Sequence, residues 1–152
     1  MEPKIIERDS FIVAGTLNRI KPDEDNEERY GLIWKEFEII HPRIKGLSVD
    51  GAYYGVSFSV REGIGVDYIA GMAVTDPTIV PDTLEKREVP KARYAVFECS
   101  LTEIGETYRY AFAEWLPRSS FNLNTSVPIF EQYPPMGEEG EPVRIYIPIK
   151  PK

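Results

Sequence analysis

The sequence of 152 residues is short of the groups that most catalytic and metal sites depend on: it has one cysteine, Cys99, and one histidine, His41. A single cysteine excludes an internal disulfide. Cys99 closes the apolar run Tyr94-Ala95-Val96-Phe97-Glu98-Cys99, where it reads as a small buried hydrophobe. A catalytic thiol needs a base beside it, and His41 sits at a predicted helix end next to Pro42. This set argues against a zinc centre, and Glu138-Glu139-Gly140-Glu141 reads as a solvated turn. The sequence has no Gly-x-Ser-x-Gly elbow. Gly63-Ile64-Gly65 lacks both the length and the following helix of a phosphate loop. No cofactor is implied.

Positive charge is also scarce, with 18 basic residues against 25 acidic ones and a net charge of −7. Phosphate backbones demand concentrated Lys and Arg. Direct nucleic-acid binding is therefore not expected, and no helix-turn-helix precedes the chain's first strand. No apolar run approaches the roughly 20 residues needed to cross a bilayer. Met1-Glu2-Pro3-Lys4 is not a basic-then-apolar leader. The expectation is a cytoplasmic protein without a membrane partner.

What is present is an ordinary hydrophobic content of 42% and a generous nine tyrosines. Ile5 to Arg8 and Phe11 to Leu17 read as strands broken at Asp9-Ser10, either paired or forming one bent strand. Asp25 and Asn26 are capping residues ahead of Glu27-Glu28. Tyr30, Ile33, Trp34, Phe37 and Ile40 then fall at helical spacing up to Pro42, which is expected to end the helix. Tyr54, Val56, Phe58 and Val60 alternate with small residues. After a turn at Arg61 to Gly65, Val66, Tyr68, Ala70, Met72 and Val74 share one strand face. The order then repeats. Strands at Glu85–Val89 and Arg93–Cys99 precede a capping box at Ser100-Leu101-Thr102-Glu103. The helix it opens carries Ile104, Tyr108, Ala111, Phe112 and Trp115 and stops at Pro117. A loop at 118–125 and strands at 127–133 and 143–149 follow. The pattern predicts one α+β domain over 1–152, built from half-repeats of about 1–80 and 81–152. A ligand cleft belongs where pseudo-symmetric halves meet.

Five residues are candidates for that cleft. Glu131 shares a strand face with Ile129 and Tyr133. A carboxylate on an apolar face is costly unless paired or functional; the alternative is a strand face open to water. Tyr146 lies opposite Val143, Ile145, Ile147 and Ile149, on the side away from the helices, where a ligand or solvent would lie. Tyr68 stands among small neighbours that leave either a pocket or close strand packing. Tyr54 is similar, and Trp115 reads as pocket wall or helix core. Flat rings with polar tips suit aromatic or cationic ligands.

The segments Gly51-Ala52-Tyr53-Tyr54-Gly55-Val56, Asp67 to Val74, Val89-Pro90-Lys91-Ala92-Arg93-Tyr94, Trp115-Leu116-Pro117, Phe130-Glu131-Gln132-Tyr133 and Val143 to Ile149 together resemble the GyrI-like effector-binding domain. That module is the sensor of AraC-type and multidrug-binding MerR-type bacterial regulators. The resemblance covers essentially the whole chain. It implies a curved antiparallel sheet with two helices and a cleft holding a buried glutamate, matched by Glu131, with Tyr68 and Tyr146 where pocket tyrosines are expected. It implies a small hydrophobic, cationic or aromatic ligand. Two alternatives come with it. One is hydrolysis of strained, electrophilic small molecules by Glu131 and a tyrosine. The other is a protein-partner role toward a regulator or a topoisomerase.

Overall fold

The computed structural model describes residues 1–60 and 65–152. Among these, nine strands form one antiparallel sheet: β1 (Lys4–Arg8), β2 (Phe11–Ile20), β3 (Tyr53–Ser59), β4 (Val66–Val74), β5 (Glu85–Val89), β6 (Ala92–Cys99), β7 (Phe121–Leu123), β8 (Ile129–Tyr133) and β9 (Val143–Pro151). Two helical segments cross it. The first, α1, spans Glu27–Ile44. The second begins as α2 (Ile104–Tyr110), passes through a π-helical stretch at Ala111–Trp115 and ends in the short helix α3 (Leu116–Arg118). The α+β expectation holds. The turn expected at Arg61 to Ile64 lies outside the described residues, although β3 and β4, which it joins, do pair.

The strand order is β1-β6-β9-β8-β3-β4-β2-β5, with β7 added beside β9. Reading inward from the two ends, β1 and β5, β6 and β2, β9 and β4, and β8 and β3 hold matching places. The two halves meet at the central pair β8–β3. This order dictates the curl. Asp9-Ser10 joins β1 to β2, which stand six places apart, and Pro90-Lys91 joins β5 to β6, also six apart. In a flat sheet each separation would be roughly 29 Å at ~4.8 Å per strand. Three Cα steps reach only about 10 Å. The sheet must therefore fold back on itself. Gly15 and Gly71 face each other across β2 and β4. An added Cβ at either would meet the other strand's backbone, Ala70 O at 2.0 Å or Ala14 O at 2.1 Å, so close approach there requires glycine.

The inner face of the curl gathers Val13, Tyr54, Val56, Ile69, Val89, Tyr94, Phe130 and Tyr146 into one core. The outer face carries two further cores, one under each helix. Ile33, Phe37 and Ile44 of α1 pack on Ala14, Ala70 and Met72. Ala111 and the rings of the second helix pack on Phe97, Ile145 and Ile147.

Local signals explain most boundaries. The Asn26 side chain accepts from the Arg29 amide at 2.9 Å and caps α1. The capping box forms at Ser100, whose amide donates to Glu103 Oε1 at 3.1 Å. Four expectations are corrected. Pro42 does not stop α1, because fully buried Ile44 anchors one further turn. Pro117 likewise lies inside the last helical residues. β1 and β2 pair with β6 and with β4 and β5 rather than with each other. A short strand, β7, stands in the expected loop, held by β9.

Candidate functional site

On the outer face, at the join of the two halves, a single carboxylate is enclosed by tyrosines. Cross-strand pairing sets the arrangement. Glu131 of β8 lies opposite Gly55 of β3, and Tyr68 of β4 lies opposite Ser57. These residues therefore point to one side, with Tyr133 two positions along from Glu131. Tyr68 donates its hydroxyl proton to Glu131 Oε1 at 3.2 Å, and Tyr133 donates to the same oxygen at 3.1 Å. Tyr108, reaching down from α2, donates to Oε2 through a short hydrogen bond. From α1, Trp34 Nε1 donates to the Tyr68 hydroxyl at 3.2 Å, and Tyr30 stands edge-on to the Tyr68 ring at 5.0 Å. Both halves and both helices thus contribute.

Gly55 makes this geometry possible. A Cβ there would sit 1.9 Å from the Tyr68 hydroxyl oxygen and 2.9 Å from Glu131 Oε1. Only a residue without a side chain lets the phenol cross β3 to reach the carboxylate.

Glu131 is 7% exposed. Burial pushes its carboxyl above the usual range, with a further push from Asp25; the three phenol hydrogen bonds pull it partly back. Burial, then the nearby carboxylate, holds the phenols of Tyr68 and Tyr108 well above their ordinary value, as it does Tyr133. The hydroxyls therefore stay protonated and serve as donors. Among the described residues no Lys, Arg or His forms an ion pair with Glu131. The site combines a buried carboxylate, three donors and a wall of rings, with no countercharge among the described residues.

The structure separates the five candidates. Glu131 and Tyr68 touch. Tyr54 and Tyr146 lie on the inner face, where they surround Arg8 instead. The Arg8 guanidinium lies 4.6 Å from the Phe11 ring centre, 5.3 Å from Tyr54, 5.4 Å from Phe130 and 5.2 Å from Tyr146. It donates to the Tyr54 hydroxyl at 2.7 Å, which in turn donates to Asp50 at 2.6 Å. Gln132 links Tyr54 to Tyr146. Trp115 stands edge-on to Phe97 and stacks over Phe121 in the core beneath the second helix. Sequence reading passed over Tyr108, Tyr133, Trp34 and Gly55. Tyr133 was within reach, since it shares the Glu131 face by alternation. Tyr108 required knowing where the second helix lies.

The model of the integron-associated effector binding protein family, Cass2, matches residues 4–149; the chain belongs to that family. Solved structures share the fold across nearly the full length. SAV2435, solved with tetraphenylphosphonium, is 15% identical with a TM-score of 0.78, covering 99% of this chain and 94% of that one. The integron cassette protein VCH_CASS2 of Vibrio cholerae is 20% identical with a TM-score of 0.73, covering 99% and 97%. The C-terminal domain of EcmrR is 14% identical with a TM-score of 0.68, covering 99% and 98%. At such identities the likeness establishes fold alone. No curated protein matches significantly. Among the described residues, no helix is long and apolar enough to cross a membrane.

Proposed function

We propose that residues 1–152 act as one effector-binding domain whose ligand is a hydrophobic cation, with Glu131 as its anchor and Tyr68, Tyr108 and Tyr133 as its frame. One observation carries the reading: a nearly fully buried carboxylate, ringed by aromatic side chains, has hydrogen-bond donors but, among the described residues, no cation. Burying a charge without a partner is expensive, and a protein that keeps one at the junction of its halves is primed for a cation from outside. Aromatic faces add cation–π attraction. The ligand named for SAV2435, tetraphenylphosphonium, is such a cation, and the GyrI-like resemblance implies an effector-sensing role.

The test is a fluorescence titration with tetraphenylphosphonium. Trp34 touches the site and Trp115 does not, so binding quenches the Trp34 emission. Glu131→Gln is expected to weaken binding on the order of 100-fold, about 2.7 kcal/mol. Equal affinity in parent and variant would overturn the anchor role.

A raised carboxyl beside phenols also has the protonation behaviour of a general acid or base. This supports hydrolysis of strained electrophiles as a second reading. Turnover of such a substrate, lost in both Glu131→Gln and Tyr68→Phe, would select it over binding alone.

A further inference from the structure

Beside the carboxylate lies a cavity of about 440 Å³. Cys99 and Val143, paired across β6 and β9, line it together with Leu101 ahead of α2, Tyr133, and Pro142, Glu139 and Glu141 of the loop from β8 to β9. Its size falls within the roughly 300–1,000 Å³ of small-molecule sites. Tyr133 belongs to both features: its ring is a wall of the cavity, and its hydroxyl donates to Glu131 at 3.1 Å. The charge of Glu131 also reaches the Cys99 thiol on the cavity wall. Glu131 is enclosed as it stands, and the bulk of a ligand must lie elsewhere.

We propose that this cavity is the subsite for the hydrophobic body of the ligand, and that Tyr133 selects for ligands with an aromatic arm by turning aside when the charge of a cation takes the place of its hydroxyl beside Glu131. The proposal rests on the cation-binding reading. It adds a location and a preference: the site discriminates by the arm rather than by the charge. A compact cation such as tetramethylammonium gains only the ion pair. Tetraphenylphosphonium also fills the cavity. Ring burial of this kind contributes roughly 1.5–3 kcal/mol per side-chain-sized group, which converts to about 10- to 150-fold in affinity.

Cys99 is the only cysteine of the chain, so thiol labelling reports on that one position of the cavity wall. The full chain is treated with N-ethylmaleimide at mildly alkaline pH with either cation at saturation. Tetraphenylphosphonium is expected to slow labelling of Cys99 about tenfold or more, and tetramethylammonium less than about twofold. Protein alkylated beforehand should bind tetraphenylphosphonium at least ~10-fold more weakly. Tyr133→Phe keeps the wall but removes its hydrogen bond, and should bind tetraphenylphosphonium a few-fold more tightly, since the arm no longer competes with it. Unchanged labelling, or full affinity after alkylation, overturns the subsite even if Glu131→Gln abolishes binding. If neither cation binds the parent protein, the cation reading falls and the subsite falls with it.

Discussion

Two aromatic clusters stand back to back on the central strands, and they treat charge in opposite ways. On the inner face, Tyr54, Tyr146, Phe11 and Phe130 enclose the Arg8 guanidinium, and Asp50 answers that charge through the Tyr54 hydroxyl. On the outer face, Tyr68, Tyr108 and Tyr133 enclose the Glu131 carboxylate, and nothing positive answers it among the described residues. The clusters are one residue apart in the chain: Tyr54 adjoins Gly55, and Gln132 adjoins Glu131. The same chemistry therefore serves two ends. A cluster that contains its own cation and counterion is a structural clasp. In the proposed function, a cluster that contains only the anion is completed by a cation from solution.

The largest separation of the two is expected from Arg8→Ala. Removing the guanidinium leaves four rings around a void and the Tyr54 hydroxyl with Gln132 alone as donor. Loss of about 2–3 kcal/mol of stability is expected, with affinity for tetraphenylphosphonium changed by less than about twofold. Urea unfolding and the Trp34 titration read the two quantities. A large loss of affinity at unchanged stability would break the division between clasp and site. Gly55→Ala comes next: its Cβ collides with the Tyr68 hydroxyl. Overpacking should cost roughly 1–3 kcal/mol and also weaken the cation, an effect absent from Arg8→Ala. Smaller again is Tyr68→Phe, expected to cost ~1 kcal/mol in affinity, whereas Tyr146→Phe on the inner face leaves affinity unaltered.

The subtlest test is a sign. Because Glu131 is raised in the folded protein, its contribution to stability is present below the pKa it has when unfolded and is lost as pH rises through the folded value. Thermal melts of Glu131→Gln should therefore gain on the parent as pH goes from acid to neutral. Cation affinity runs the other way, falling as pH drops through the raised pKa of Glu131, already above the ordinary carboxylate range. A parent and variant that melt in parallel across this range would mean the carboxyl is not raised.

Much of the fold was legible because its causes are local. Alternation placed Tyr68 opposite Ile69 and Glu131 beside Tyr133 on one face, and the capping signals at Asn26 and Ser100 located the helices. Pairing was not legible. Asp9-Ser10 looks like a turn in a hairpin, yet it joins strands six places apart, a fact that depends on the whole sheet. The site was half legible for the same reason. A carboxylate on an apolar face is visible in letters. That Tyr108 covers it from a helix depends on where that helix lies, and alternation set Tyr146 on the side away from the helices without showing that Arg8 fills that side. The resemblance supplied Glu131 and Tyr68 but could not tell an inner-face tyrosine from an outer one.

The exchanged edge strands carry a final implication. β1 of the first half completes the second through β6, and β5 of the second half completes the first through β2, so each half lends an arm to the other as subunits of a swapped dimer do. A symmetric dimer of either half would present the same residue from both copies along its axis. Two facing glutamates would repel, and two facing glycines would bind nothing. Fusing the halves into one chain lets the central strands differ, so that one contributes the acid at Glu131 and the other the room at Gly55.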